Sequence, residues 1–594
     1  MRILILTLFL GFGFWAPSSG AGKPNIVLVI TDDQGYGDLG CNGHPWVKTP
    51  HLDTLHTEAI ALDDYHVAPT CSPTRCGLLT GHWTNRTGVW HTINGRSMLR
   101  ENEVTLGQLL KDNGYATGMF GKWHLGDNYP YQPQDRGFQE TASHGGGGIG
   151  NTPDYWGNNY NGDHYAVNGE WTPFEGYCTD IWFQEGLKFV ERHKDEPFLC
   201  FITTNAPHGP FIVDDSYSRQ YDGQVENEDR ANFFGMITCI DENVGGLRRR
   251  LDELGLTDNT ILIFMTDNGT ACGAKSGEGQ FIANGYNAGM RGIKGSEYEG
   301  GHRVPLFIHW PNGGLTEGRD VATLTANVDM MPTLMELCGI ARDDLVFDGT
   351  SIASLIRGDD IDWPDRTLVT DSQRITDPIK WRKSATMTQR WRLINGEELY
   401  DIQADPGQEK DVASDHPDVV EKLRADYDRW WDKVSEQFSG TIPIPIGSPE
   451  EPSVRLNAHD WRNPEAECAW NQASVRAANK CNGYWEIEVA QPGTYRFELR
   501  RWPKEEDRPI VEDIEGELKT YSDIKDGYGG GVAVPVKTAR LKVGDIEQES
   551  AVTQEDKGIL FTAELNAGET LLQSWFIDDA GEDIGAYYVY VDFL

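Results

Sequence analysis

Four segments share one pattern: an apolar run that ends abruptly in a polar cluster. Asn25-Ile26-Val27-Leu28-Val29-Ile30 stops at Thr31-Asp32-Asp33, and residues 115–120 lead into Gly121-Lys122-Trp123-His124. Residues 198–203 run into Asn205-Ala206-Pro207-His208, and residues 261–265 into Thr266-Asp267-Asn268-Gly269. A short continuous apolar run predicts a strand buried on both faces. Helix-patterned segments lie between, at residues 106–113, 181–192 and 232–254. The alternation predicts an α/β fold with a mostly parallel sheet flanked by helices. Ligands of such sheets collect beyond the carboxyl ends of the strands, which is where all four polar clusters fall.

Further on, Arg291-Gly292-Ile293-Lys294-Gly295 and Glu299-Gly300-Gly301-His302-Arg303-Val304-Pro305 predict a glycine-rich loop into a strand at 306–310. Residues 22–365 are read as the main α/β unit. Residues 366–438 hold short strands around Leu393 and an amphipathic helix at 417–434, a small α+β appendage of that unit. Residues 439–452, with Pro443, Pro445, Pro449 and Pro452, read as a stiff linker. Past it the period becomes two. Trp485, Ile487 and Val489 alternate with Glu486 and Glu488; after Gln491-Pro492-Gly493, Tyr495, Phe497 and Leu499 alternate with Arg496 and Glu498. This predicts a hairpin with one wet face, and later strand-like runs extend it to an all-β sandwich over 453–594. Trp461, Trp485 and Trp502 offer either a sugar-stacking surface or sandwich core.

With 594 residues, 39% of them hydrophobic, the chain can bury more than one core. Its 52 basic and 92 acidic residues give a net charge of −40, which argues against nucleic acid or an anionic membrane surface as partners. Cations gathered at one site on so acidic a body are correspondingly informative. Residues 1–21 carry Arg2, an apolar run and the small residues Ser19, Gly20 and Ala21, the pattern of a secretory signal peptide. No later apolar stretch reaches membrane length, so the expectation is a secreted or periplasmic protein with no membrane attachment after cleavage. Ten cysteines make no dense disulfide framework and no zinc spacing; Cys468 and Cys481 could pair.

Cys71-Ser72-Pro73-Thr74-Arg75-Cys76-Gly77-Leu78-Leu79-Thr80-Gly81 joins a thiol, a fixed cation and a helix-like run. Pro73 sets its own backbone angle, and Arg75 is expected on the first helical turn, pointing back at Cys71. Asp32, Asp33, Asp267 and Asn268 offer only hard oxygen ligands, which suit Ca²⁺ or Mg²⁺ better than Zn²⁺. Cys-x-Pro-x-Arg followed by Leu-Thr-Gly resembles the signature of formylglycine-dependent type I sulfatases, of the alkaline-phosphatase-like superfamily. Gly121-Lys122-Trp123-His124-Leu125-Gly126 is similar to their second signature, and Glu398-Leu399-Tyr400-Asp401 with Asp405-Pro406 to their C-terminal subdomain. The resemblance covers roughly residues 24–435 and leaves the C-terminal β unit outside it.

The resemblance implies that Cys71 is oxidised to formylglycine (3-oxoalanine) by a maturation enzyme. It also implies a metal, Ca²⁺ rather than Mg²⁺, held by Asp32, Asp33, Asp267 and Asn268 together with the modified Cys71. Lys122, His208 and Lys294 match substrate-contacting positions, and Cys71, Arg75, Lys122, His124, His208 and Lys294 the catalytic ones. One hydroxyl of the hydrated aldehyde would attack sulfur; His124 would take the proton of the second so that sulfate is expelled, and His208 would protonate the departing alcohol. Export, the added β unit and the acidic body favour a sulfated oligo- or polysaccharide as substrate. Phosphodiester or phosphonate monoester hydrolysis, and carbohydrate binding with a vestigial site, are the alternatives. The segment 139–150, with Ser143, His144 and four consecutive glycines, departs from the family's aromatic pattern, and the roles of Ser143 and His144 stay open. The aromatic residues of 154–171 line either a sugar cleft or a packed core.

Overall fold

The computed structural model describes residues 22–342, 344–462, 468–521 and 524–594; the segment read as a signal peptide lies outside them. Ten strands form the main sheet, in the order Arg319–Val321, Ile60–Leu62, Leu306–His309, Thr260–Thr266, Asn25–Thr31, Phe198–Thr203, Ala116–Lys122, Glu140–His144, His164–Val167, Glu170–Pro173. The five from Thr260–Thr266 to Glu140–His144 run parallel. The sheet is mixed beyond them: Leu306–His309 is antiparallel to both neighbours, and Glu140–His144, His164–Val167 and Glu170–Pro173 form an antiparallel meander. A parallel return needs a long crossover, usually a helix. Between Thr266 and Leu306 the chain offers no helix longer than the four residues Glu299–His302.

The apolar runs are continuous because each strand serves two cores. Ile26, Leu28 and Ile30 pack with Leu78, Leu109 and Met331 on one face. Val27 and Val29 pack with Leu52, Trp182 and Ile240 on the other. Successive side chains of a strand point to opposite faces, so a sheet covered on both sides admits no polar residue until the strand ends.

The α+β appendage is a four-stranded antiparallel sheet, Leu368–Asp371, Ser384–Met387, Trp391–Ile394 and Glu398–Asp401, with the helix Pro417–Ser435 laid on it. Val420 and Leu423 of that helix meet Leu393 and Leu399. Arg392 pins the appendage to the main unit, its guanidinium fully buried and 2.7 Å from both Glu299 and Asp64.

The C-terminal region holds two packed sheets and a separate two-stranded sheet, Glu517–Tyr521 with Ile524–Tyr528. One packed sheet orders Ile444–Ile446, Tyr484–Val489, Gly568–Asp578, Val536–Val543 and Ile546–Ala551; the other Ser453–Asn457, Tyr588–Phe593, Gly493–Arg500 and Ile559–Leu565. Tyr484–Val489 and Gly493–Arg500, expected as a hairpin, lie in opposite sheets, so Gln491-Pro492-Gly493 arches between layers. Ile444–Ile446, inside the segment expected as linker, pairs in parallel with Tyr484–Val489. Trp461, Trp485 and Trp502 are wholly buried in the sandwich core, so none of the three offers a sugar-stacking surface. That core also takes in Ile93, Met98, Tyr131 and Trp156 from the α/β unit. No disulfide joins Cys468 and Cys481. Among the described residues, no helix is long and apolar enough to cross a membrane.

Candidate active site

The parallel register assembles the acidic residues. Thr31 lies beside Thr266, so Asp32 and Asp267 leave adjacent strands side by side. Asp33 follows with φ of 66°, a left-handed turn that Asp tolerates better than most residues, and its N–H donates to Asp267 Oδ1 at 3.0 Å. Asn268 donates from Nδ2 to Asp33 Oδ1 at 2.9 Å.

Cys71 opens the fully buried helix Cys71–Thr80, in which Pro73 occupies the first turn, where a missing N–H costs nothing. Its Sγ and one carboxylate oxygen each of Asp32 and Asp267 lie within 4.8 Å of one another. Arg75, one helical turn on, directs its hydrogen bonds to partners other than Cys71. Its Nη2 and Nε donate to Asp267 Oδ2 at 3.0 and 3.3 Å, and its Nη1 to the Lys122 carbonyl and the Thr203 hydroxyl. A guanidinium this deeply buried needs a carboxylate, and Asp267 supplies it.

The other clusters converge on the same acids. Lys122 Nζ donates to Asp32 Oδ2 at 2.6 Å, and Lys294 Nζ to Asp33 at 2.6 Å. His208 Nε2 is 3.6 Å from Asp33 Oδ2, while Nδ1 bonds the Gly209 carbonyl at 2.6 Å. His124 sits at φ of 64°; its Nε2 bonds the Thr92 carbonyl at 2.8 Å, and its Nδ1 is buried without a partner. A carbonyl oxygen only accepts, so the hydrogen of neutral His124 is on Nε2 and its lone pair on Nδ1.

Close packing beneath the site depends on Gly121. It lies opposite Thr203 at φ of 120°, and a Cβ there would come within 1.8 Å of the Thr203 carbonyl oxygen. Gly121→Ala is therefore expected to destabilise the protein by at least ~2 kcal/mol, read as a lowered Tm. An unchanged Tm would mean that the two strands separate more easily than this register allows.

Charge is balanced within the cluster. Three carboxylates, Asp32, Asp33 and Asp267, face three cations, Lys122, Lys294 and Arg75. Burial would raise Asp33, but Lys294 and then His208 hold it well below the usual carboxylate range. Burial and the charge of Asp32 push Asp267 up to about 7 against the pull of Arg75. Burial likewise raises Asp32 in spite of Lys122. Burial lowers His208 to about 4, and burial with Lys122 and His459 drops His124 well below its ordinary value. Burial also lifts the Cys71 thiol above the usual thiol range, despite Lys122 and Lys294, so it is a poor source of thiolate.

The donor set fits a hard divalent cation. Asp32 Oδ1 and Asn268 Oδ1 are buried with no hydrogen-bond partner, beside the ionised Asp33 and the raised Asp267. Such orphaned oxygens are costly unless something positive satisfies them.

One neighbour whose role the sequence left open, His144, and others that it missed also border the site. His144 ends a strand beside Lys122, with burial lowering it to about 3 and its Nε2 unpartnered. From the C-terminal region, His459 brings its ring to 6.0 Å from that of His124, and Asp460 lies 3.2 Å from His459 Nδ1. Asn457-Ala458-His459-Asp460 closes a strand in polar residues, as the four recognised clusters do. That repetition was the available signal.

The family model described as Sulfatase matches residues 24–340, more than half of the chain. The chain belongs to the sulfatase family. A second model, N-sulphoglucosamine sulphohydrolase C-terminal, matches residues 294–432, from Lys294 through the α+β appendage. The sulfatase is 28% identical to arylsulfatase J of Mus musculus over 75% of this chain and 81% of that one. It is 31% identical to N-acetylgalactosamine-6-sulfatase of Homo sapiens, over 58% and 69% of the two. Among solved structures it is similar to Ps i-CgsB in complex with k-i-k-neocarrahexaose, with a TM-score of 0.62 and 28% identity, covering 70% of this chain and 94% of that chain. The sulfatase is thus a sulfuric ester hydrolase with the alkaline-phosphatase-like fold, and its C-terminal sandwich lies beyond both family matches.

Proposed function

We propose that this sulfatase removes sulfate from a sulfated oligo- or polysaccharide, with Cys71 matured to formylglycine by a partner enzyme and Ca²⁺ held by Asp32, Asp33, Asp267 and Asn268. The observation that carries the reading is the placement of Cys71 against Asp32 and Asp267, ringed by Lys122, Lys294 and Arg75. A carbohydrate substrate draws support from the N-acetylgalactosamine-6-sulfatase relative and the saccharide-bound structural neighbour. Residues 1–21 support export to the periplasm or medium.

When present, the hydrated aldehyde supplies a hydroxyl nucleophile in place of a thiol, and the bound cation supplies Lewis acidity. The chain's own residues do the rest. Arg75 fixes Asp267 through a forked ion pair and so holds the acidic wall of the site. Lys122 and Lys294 set two ammonium groups where a sulfate anion must lie and stabilise charge that spreads over its oxygens. His124, with its lone pair at Nδ1, is arranged to accept a proton. His208 spends its Nδ1 hydrogen on Gly209 and directs Nε2 toward Asp33. An arriving sulfate adds to the field of Asp33 and favours the protonated ring, which can then give a proton from Nε2 to the leaving alcohol.

The test is sulfate release from a panel of sulfated oligosaccharides by protein from a host that carries the maturation system. Release from at least one saccharide, abolished by chelation and restored by Ca²⁺, is the expected result. Faster turnover of phosphodiesters or phosphonate monoesters than of any sulfate ester would overturn it.

A further inference from the structure

The C-terminal sandwich shares a cleft with the active site. A cavity of about 270 Å³ is lined by His208 and Tyr160 of the α/β unit and by Trp470, Arg476 and Tyr528 of the C-terminal region. Arg476 ends the short helix Gln472–Arg476, and its guanidinium lies 4.8 Å over the Tyr528 ring and 5.7 Å from that of Trp156. By contrast, Arg455 pairs with Glu505, and Lys294 with Asp33. Arg476 has no carboxylate within 4.0 Å among the described residues, on a chain whose net charge is −40. Burial lowers its pKa from the ordinary guanidinium value, as expected of a cation without a countercharge.

The helix that carries Arg476 is anchored to the glycine-rich loop beside the catalytic histidines. Gln472 donates from its backbone N–H to the Gly150 carbonyl at 3.0 Å and from Nε2 to the Asn151 carbonyl at 3.2 Å. Thr152 N–H donates to the Trp470 carbonyl at 3.0 Å. In the same loop Gly147 abuts the His124 ring, and a Cβ on Gly148 would lie 3.9 Å from the His208 ring. Arg476 and His208 are thus held in fixed relation across one cleft.

Building on the carbohydrate reading above, we propose that Arg476, over the Tyr528 ring in a cleft that Trp470 also lines, is a subsite for a second anionic group on the substrate. The group is a sulfate ester or a uronate carboxylate on a sugar next to the one whose sulfate is cleaved. A guanidinium presents a planar fork that matches either anion in bidentate fashion. Trp470, in the same lining, suits the apolar face of a pyranose ring. The sandwich thereby makes this sulfatase selective for polyanionic saccharides, a role that the catalytic cluster, spent on one sulfate, does not fill.

The test compares wild type with Arg476→Gln and Arg476→Lys on four probes: a small aryl sulfate, a monosulfated disaccharide, its disulfated form, and a monosulfated form carrying a uronate. Arg476→Gln is expected to lower kcat/KM by roughly tenfold, mainly through KM, on whichever doubly charged disaccharide fits, with the aryl and monosulfated probes unchanged. Arg476→Lys should recover part of the loss. The two doubly charged probes tell second sulfate from uronate. If saccharides are cut but Arg476→Gln affects singly and doubly charged ones alike, or neither, the subsite is wrong and the carbohydrate reading stands. If wild type cleaves only the aryl sulfate, the carbohydrate reading falls and takes the subsite with it.

Discussion

Cys71→Ala is expected to cut sulfate release by at least ~10³-fold, the scale on which removing a nucleophile acts when the surrounding electrostatics survive. The fold should tolerate the change, because Cys71 is 2% exposed and the substitution removes a single sulfur from a site otherwise held by ion pairs. Affinity for a divalent cation should fall only modestly, since Asp32, Asp33, Asp267 and Asn268 all remain. Cys71→Ser tests the same point from another side. It restores an oxygen of similar reach but no aldehyde, so it should stay near the alanine level. Mass spectrometry of the peptide spanning Cys71 in active wild type should show the aldehyde. Appreciable turnover by the alanine variant, or full activity with an unmodified thiol, would remove Cys71 as the origin of the nucleophile. The raised thiol pKa makes the second outcome chemically unfavourable.

The second large effect belongs to Arg392, far from the chemistry. Arg392→Leu would leave Glu299 and Asp64 buried without their shared cation; Glu299 Oε1 would lose its partner, and Oε2, which makes no hydrogen bond, would keep only Arg303 at 3.8 Å. Breaking a buried pair by removing one partner costs about 3–5 kcal/mol, so a lower Tm and easier detachment of the α+β appendage are expected. The pH dependence gives the sign. Burial alone would raise Glu299, but Arg392 holds it at about 2, below its ordinary 4.5. A carboxylate with a depressed folded pKa stabilises above its ordinary pKa, and that contribution is lost as pH falls toward the folded value. The gap between wild type and variant should therefore be full near neutrality and narrow as the pH drops from 4.5 toward about 2. A constant gap would mean that Arg392 acts through its packing rather than its charge.

The active-site clusters were legible because buried parallel strands exclude polar side chains until they end. Asp32, Lys122, His208 and Asp267 each stand at or just past such an end, and the parallel register collects them without any long-range knowledge. Direction within the sheet was harder to read. The apolar pattern of Leu306–His309 is the same whether it runs parallel or antiparallel. The alternation of Tyr484–Val489 and Gly493–Arg500 fixes which side chains are buried but not which sheet receives them, and a three-residue connection suits an arch as well as a hairpin. Trp485 followed the same logic: period two marks a face, and only the fold decides that this face is core. His459 and Arg476 reach the site through docking of a distant segment; the strand-end cluster at residues 457–460 marks His459 as a candidate, but no local motif encodes the docking.

The core that joins Ile93, Met98, Tyr131 and Trp156 to the sandwich has a thermodynamic consequence. A tethered module would melt by itself and leave its neighbour intact. Here the boundary near residue 439 is crossed by close-packed carbon, so the two regions should lose heat-resistant structure in one cooperative transition. Amides of the Ile444–Ile446 strand should then show hydrogen-exchange protection comparable to that of the central sheet rather than that of a hinge. A chain cut there would keep its whole catalytic sequence yet display an oily scar, and aggregation, before any loss of chemistry, would limit its use.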